Sequence, residues 1–145
     1  MKWTLRILML IGLWILAIAG YAIATARGST RPVGLQIAQV IDVQGRPMSI
    51  GLLFPTSASP RPTTLIGSTL LKVAPDGPVQ GQKLPLVVLS HGNGGSLASH
   101  VDLAMDLAGA GYVVAAPTHA GDSFADQSAG GSANLYSGRA QQIRA

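Results

Sequence analysis

Hydrophobic and polar positions change their rhythm several times along this chain, and each change marks an element. Ile7 to Ala19 is almost unbroken apolar sequence, preceded by Lys2 and Arg6 and followed by small residues up to Ala26. From Leu35 the pattern becomes alternation: Leu35, Ile37, Val40, Ile41 and Val43, then Met48, Ile50, Leu52 and Phe54 beyond Gln44-Gly45-Arg46-Pro47. Two alternating runs about a Gly/Pro turn predict an antiparallel hairpin. Thr56 to Thr64 reads as a Ser/Thr/Pro loop, Leu65 to Val73 as a further short strand, and Ala74 to Lys83 as a loop.

Leu86 to Leu89 is a short apolar run between Pro85 and a glycine-rich turn, the pattern of a strand buried on both faces. Leu97, Val101, Ala104, Met105 and Ala108 then recur at helical spacing, and Gly109 and Gly111 end the helix. Ser99 with Asp102 predicts a capping box at its start. Asp102 and Asp106 lie on the face expected to meet solvent. Tyr112 to Ala116 is a second buried strand, expected to stop at Pro117. Strand, helix, strand at this spacing is a βαβ unit with parallel strands. Ala133 to Ala145 has mild helical spacing after a Gly/Ser/Asp loop.

The N-terminal pattern sets the expected location. A basic start, an apolar middle and the small-x-small triplets Ala22-Ile23-Ala24 and Ala24-Thr25-Ala26 describe a secretory signal peptide cleaved near Ala26. The competing reading is a retained anchor, since Ile7 to Ala26 is long enough to span a bilayer. Under either reading the remainder is exported, to the periplasm or the exterior, or displayed on a membrane anchor. The expected organisation is a signal or anchor over 1–26, a linker over 27–34 and one α/β domain over 35–145.

Composition narrows the chemistry. Of 145 residues 48% are hydrophobic, 11% are charged, and the formal charge is +4. Without Lys2 and Arg6, eight basic residues remain against six aspartates, scattered singly. No basic patch with interleaved aromatics exists, so nucleic acid is not an expected partner. Cysteine is absent, which removes disulfides, thiolate nucleophiles and zinc–thiolate sites. His91, His100 and His119 include no pair one helical turn apart and no H-E-x-x-H, so no metal or other cofactor is expected. From Gly92 the dinucleotide pattern G-x-G-x-x-G fails at Leu97, and no lysine completes a phosphate-binding loop.

Acyl transfer remains, because backbone N–H groups of a glycine-rich turn can hold a tetrahedral oxyanion with no side chain in the way. Leu89-Ser90-His91-Gly92-Asn93-Gly94-Gly95-Ser96 resembles the His-Gly-x-Gly-Gly oxyanion loop of α/β-hydrolases, which follows the third strand of that fold. Leu84 to Gly92, Leu107 to Pro117 and His119 to Ser123 are together similar to the branch that holds dienelactone hydrolases and platelet-activating-factor acetylhydrolases. The resemblance runs over about Val33 to Ala145. It implies an α/β fold: the N-terminal part of a hydrolase sheet, with a hairpin and then a βαβ unit, behind the signal or anchor helix. It also implies a serine hydrolase acting on a small-molecule ester or acyl substrate. On that resemblance Asn93 and Gly94 are the oxyanion-hole positions. His91, Gly92 and Gly95 support the loop, with His91 a hydrogen-bonding strut, and His119, Asp122 and Ser123 form a loop at the pocket mouth.

The family nucleophile sits in a Gly-x-Ser-x-Gly elbow after the next strand, with acid and base later still. Neither Gly94-Gly95-Ser96-Leu97-Ala98 nor Gly130-Gly131-Ser132-Ala133-Asn134 is such an elbow. The expectation is therefore an N-terminal portion without its catalytic residues, inactive by itself. Its strand at Leu86 to Leu89 is expected to lack a neighbour on one side and to favour aggregation. The alternative is a complete non-catalytic exported or membrane-tethered binding module using the same glycine loop.

Overall fold

The computed structural model describes residues 2–67 and 69–144. Helix α1 spans Lys2–Ala24; strands β1 (Val33–Ile41) and β2 (Pro47–Pro55) follow, then β3 (Arg61–Thr64), β4 (Leu70–Pro75) and β5 (Leu86–Val88). Helix α2 (Val101–Gly109), strand β6 (Val113–Thr118) and helix α3 (Leu135–Arg144) complete the order. The six strands form one mixed sheet ordered β3-β4-β1-β2-β6-β5.

The alternating runs give the expected hairpin, with β1 and β2 paired antiparallel from Val33↔Pro55 to Ile41↔Pro47. Its turn is held by Asp42: one carboxylate oxygen accepts the N–H groups of Gln44 and Arg46, and the other takes the Arg46 guanidinium. Gly45 supplies the positive φ (79°) that the turn needs. The βαβ unit forms with β5 and β6 parallel, Val87 opposite Val114. Helix α2 ends in a Schellman motif: Gly111 takes φ 108°, its N–H bonds the Ala108 carbonyl, and the Tyr112 N–H bonds that of Leu107.

The core lies between α2 and one face of the sheet. Ala104, Met105 and Ala108 meet Leu35, Leu53, Val114 and Ala116, while Val33, Leu71 and Val73 extend the core toward β4. Leu97 sits against Gly51, where any added Cβ would crowd its side chain at 3.1 Å.

Several expectations are corrected. Residues 61–64 are a strand and not a loop, because the extended Arg61–Thr64 pairs with Leu70–Val73. Strand β6 runs through Pro117, which pairs opposite Ile50 within the ladder. The strand at Leu86–Val88 lies at the sheet edge, lacking a neighbour on one side as expected, but it is not buried on both faces, with Leu86 63% and Val88 39% exposed. Its face away from α2, together with Ile50 and Pro117, lines an open groove of about 300 Å³ flanked by Ile143.

The capping box does not form. His100 is the N-cap residue of α2 and makes no side-chain cap. The Ser99 hydroxyl accepts the Ser96 N–H instead. Asp102 and Asp106 both face Arg27, at 3.1 and 3.0 Å. Arg27 also exchanges backbone hydrogen bonds with the β4 segment, its N–H to the Leu70 carbonyl and its carbonyl from the Lys72 N–H. The stretch 27–34 is thus tied down at both ends, since Val33 and Gly34 already belong to β1.

Leu53 is fully buried on the central strand β2. Leu53→Ala is expected to cost about 2–5 kcal/mol, from lost burial and the cavity left behind. Urea unfolding should show a lower midpoint at unchanged slope.

Candidate active site

The loop after β5 is shaped by its glycines. Gly94 adopts φ 64°. At Gly95 a Cβ would stand 2.9 Å from the His91 ring nitrogen and 2.7 Å from the Ser99 hydroxyl, so only glycine fits between them. The Gly95 N–H closes the turn on the Gly92 carbonyl at 3.2 Å.

Two polar side chains, buried Asp122 and partly buried Arg139, grip this loop at its two ends. Asp122, 1% exposed, accepts the Gly94 N–H at 3.0 Å on one oxygen and ion-pairs with Arg139 through the other. Arg139 in turn donates to the His91 carbonyl at 3.0 Å. Between these grips, Gly92 and Asn93 are exposed, and among the described residues no acceptor engages their N–H groups. The Gly94 N–H is committed to Asp122, so it is Asn93, with Gly92 before it, that offers a free donor.

His91 is buried and acts as a strut. Its Nε2 accepts the backbone N–H of His119 at 3.0 Å, which leaves the proton on Nδ1 to reach the Gly92 carbonyl at 2.6 Å. The two imidazole rings meet edge to face with centroids 4.8 Å apart. The arrangement joins the loop after β5 to the loop after β6.

Beyond the rings lies a buried polar chain that sequence spacing could not have revealed. Gln142, on α3, donates its amide N–H groups to Asp42 Oδ2 at 3.0 Å and to the Ala120 carbonyl at 3.2 Å. Its Oε1 must then accept from His119 Nδ1 at 2.7 Å. The His119 proton therefore sits on Nδ1, and Nε2 accepts the Ser90 hydroxyl at 2.8 Å. His119 is fully buried and Ser90 is exposed.

The charges follow these contacts. Burial pushes the His119 value down, and the nearby His91 and Arg139 add to this, against the Gln142 bond and Asp122, which pull it up; the net shift is downward, and the ring is neutral. Burial opposes ionisation of Asp122, but the Gly94 N–H and Arg139 outweigh it and hold the carboxyl below its ordinary value. Hydrogen bonds from Ser128 and the Gly121 N–H do the same for Asp126, which organises the turn after Ser123.

The expected pocket-mouth loop thus lies deeper than the word mouth implies, with His119, Asp122 and Ser123 all buried. His119 and Ser123 line a cavity of about 370 Å³ with Met48, Leu97 and Thr118, and the exposed Phe124 stands at its rim. Asp122 instead faces Arg139 and α3. His100 stands apart, at the start of α2. Among the described residues no three His, Asp or Glu side chains converge as metal ligands.

With this geometry, comparison with known proteins is specific. A family model for platelet-activating factor acetylhydrolase, isoform II, matches residues 60–137, which carry β3 through the first residues of α3. Among solved structures, the fold is similar to that of a ferulic acid esterase from Streptomyces cinnamoneus. The TM-score is 0.58 at 23% identity, over 68% of this chain and 36% of that one. At that identity the likeness is one of fold, and this chain spans about a third of that protein's length.

Asp42 gives the network a pH signature. Burial would raise its value, but N–H donors from Arg46, Gln142 and Gln44 and the Arg46 side chain bring it from 3.8 down to about 2. A depressed carboxyl stabilises the fold fully above its unfolded value and ceases to do so as pH falls through the folded one. Asp42→Asn is therefore expected to lower stability at neutral pH and to flatten its decline between about pH 4 and about pH 2. Urea melts stepped through that acid window check both.

Proposed function

The chain belongs to the platelet-activating factor acetylhydrolase, isoform II, family, and from that premise we propose that it supplies the oxyanion-binding part of a serine hydrolase acting on small-molecule esters. The single observation behind this reading is the free Asn93 N–H, held between Gly92, whose carbonyl is pinned by His91 and the Gly95 N–H, and Gly94, whose amide is pinned by Asp122. A donor fixed before the reaction costs no reorganisation when negative charge develops on the carbonyl oxygen. In this reading Asn93 is the donor, and Gly94 is the anchor that Asp122 holds. His91, Gly92 and Gly95 shape the loop, while His119 and Ser123 form the inner wall of the adjoining cavity.

The nucleophile of the family reaction is a serine in a Gly-x-Ser-x-Gly elbow, a motif these 145 residues do not contain. We place that serine elsewhere in the gene product, with residues 35–145 forming the first part of its catalytic domain. Its hydroxyl would attack the ester carbonyl, and the oxygen would take up charge against the Asn93 N–H. Residues 1–26 act as signal or anchor. Trp3–Ala24 forms a helix of 22 residues with none of its length buried, which at 1.5 Å per residue reaches about 33 Å, enough to cross a hydrocarbon core. The domain would then work on the exported side, free or tethered.

Replacing Asn93 by proline removes the N–H without breaking any hydrogen bond within the described residues. In the full-length gene product, Asn93→Pro is expected to lower kcat on p-nitrophenyl acetate by about 10²–10³, with KM little changed. Asn93→Ala keeps the N–H and should stay within a few-fold of the parent. Equal losses in the two variants would remove Asn93 from the oxyanion site.

A further inference from the structure

The oxyanion reading leaves one chemical pair unused. Ser90 Oγ lies 2.8 Å from His119 Nε2, and the direction of that hydrogen bond is fixed from a distance. Asp42 accepts from the Gln142 amide nitrogen, the Gln142 oxygen accepts from His119 Nδ1, and the ring nitrogen facing Ser90 is left bare. The hydroxyl therefore donates to the imidazole. Nucleophile, base and orienting group stand in sequence, the arrangement by which hydrolytic serines are activated. Ser90 is exposed whereas His119 is buried, so the hydroxyl is the accessible end of the chain.

We propose that Ser90 is a nucleophile in its own right, able to take an acyl group from activated esters or a phosphonyl group from their phosphorus analogues. Its oxygen attacks the carbonyl carbon, the Oγ–C bond forms, and the Oγ proton passes to His119 Nε2 while the carbonyl π pair moves onto oxygen. Collapse of the tetrahedral species breaks the bond to the leaving group, which departs with the proton from Nε2. The product is acyl-Ser90 and a free alcohol or phenol, with His119 neutral again.

The third member of the chain sets the pace. Gln142 is a neutral amide: it orients the ring but carries no charge to balance an imidazolium, and the Asp42 carboxylate lies one hydrogen bond further away. Burial, His91 and Arg139 disfavour a charged His119 as well, outweighing the Gln142 hydrogen bond and the Asp122 carboxylate that favour it. The reaction is therefore slow and stoichiometric, since deacylation must charge the same ring a second time.

The full-length gene product with its elbow serine changed to alanine, treated with a fluorophosphonate and digested for mass spectrometry, is expected to carry its adduct on Ser90. The rate there should exceed that at any other serine by about tenfold or more, and Ser90→Ala should abolish the adduct. Ser90→Ala leaves the buried His119 Nε2 without its donor, so the variant is expected to melt below the parent while keeping one cooperative transition, which separates lost chemistry from lost fold. The labelling rate reports on the base. His119 accepts a proton only when neutral, and its value is shifted downward, so the rate should hold as pH falls past 6.5 and decline only in stronger acid. Label spread evenly over the serines, label absent from Ser90, or Ser90→Ala labelling like the parent would each overturn the assignment. A rate that simply climbs with hydroxide would remove His119 as the base. This proposal does not depend on Asn93, whose proline variant can fail or succeed without altering the fate of Ser90→Ala.

Discussion

The carboxylate of Asp42 is the group on which both the hairpin and the site depend. One oxygen closes the β1–β2 turn by accepting two backbone N–H groups; the other receives Arg46 and, from 100 residues further along the chain, the Gln142 amide. An amide has two ends, and fixing one fixes the other. Once its nitrogen faces Asp42, its oxygen faces His119, and the tautomer of a buried ring is decided by a turn at the far end of a strand. Such a chain is worth having only when every member is satisfied, because an unpaired polar group in a low dielectric is costly. A local turn device has thus become a long-range constraint on chemistry.

The second constraint is the double grip on residues 91–94. Asp122 holds an amide and Arg139 a carbonyl, and the two grips are themselves an ion pair, so neither can let go independently. Glycine does the rest, at 94 because φ is positive and at 95 because His91 and Ser99 leave no room for a side chain. The loop's shape is thus fixed in advance by its own hydrogen bonds and close contacts.

Much of the fold was legible because its signals are local. Alternation about Gly45, helical spacing up to Ala108 and the glycine stop at Gly111 each depend on neighbours within a few residues, and each produced the expected element, although the helix begins at Val101 and leaves Leu97 ahead of it. The errors came where a remote partner won. Asp102 fits a capping box by spacing, yet Arg27 draws it outward. Leu86 and Val88 read as doubly buried because apolar content does not say whether a strand is central or at an edge. For the candidate site, the His-Gly-x-Gly-Gly pattern predicted the glycine turn after β5, and the resemblance supplied Asn93 as the donor proposed above. The links Ser90–His119, His119–Gln142 and Gln142–Asp42 span 29, 23 and 100 positions, distances over which no periodicity operates.

The stitch at Arg27 has a consequence for reach. Two residues, Thr25 and Ala26, separate the end of α1 from a residue already bonded to β4 and ion-paired with α2. Fully extended they span about 7 Å. A domain on a leash that short cannot sweep a volume. If α1 stays in a bilayer, the domain rides within a headgroup's depth of the surface and meets only molecules that come to that layer. If the chain is cut after Ala26, the new amino terminus starts life already docked, with no loose tail for a protease to seize.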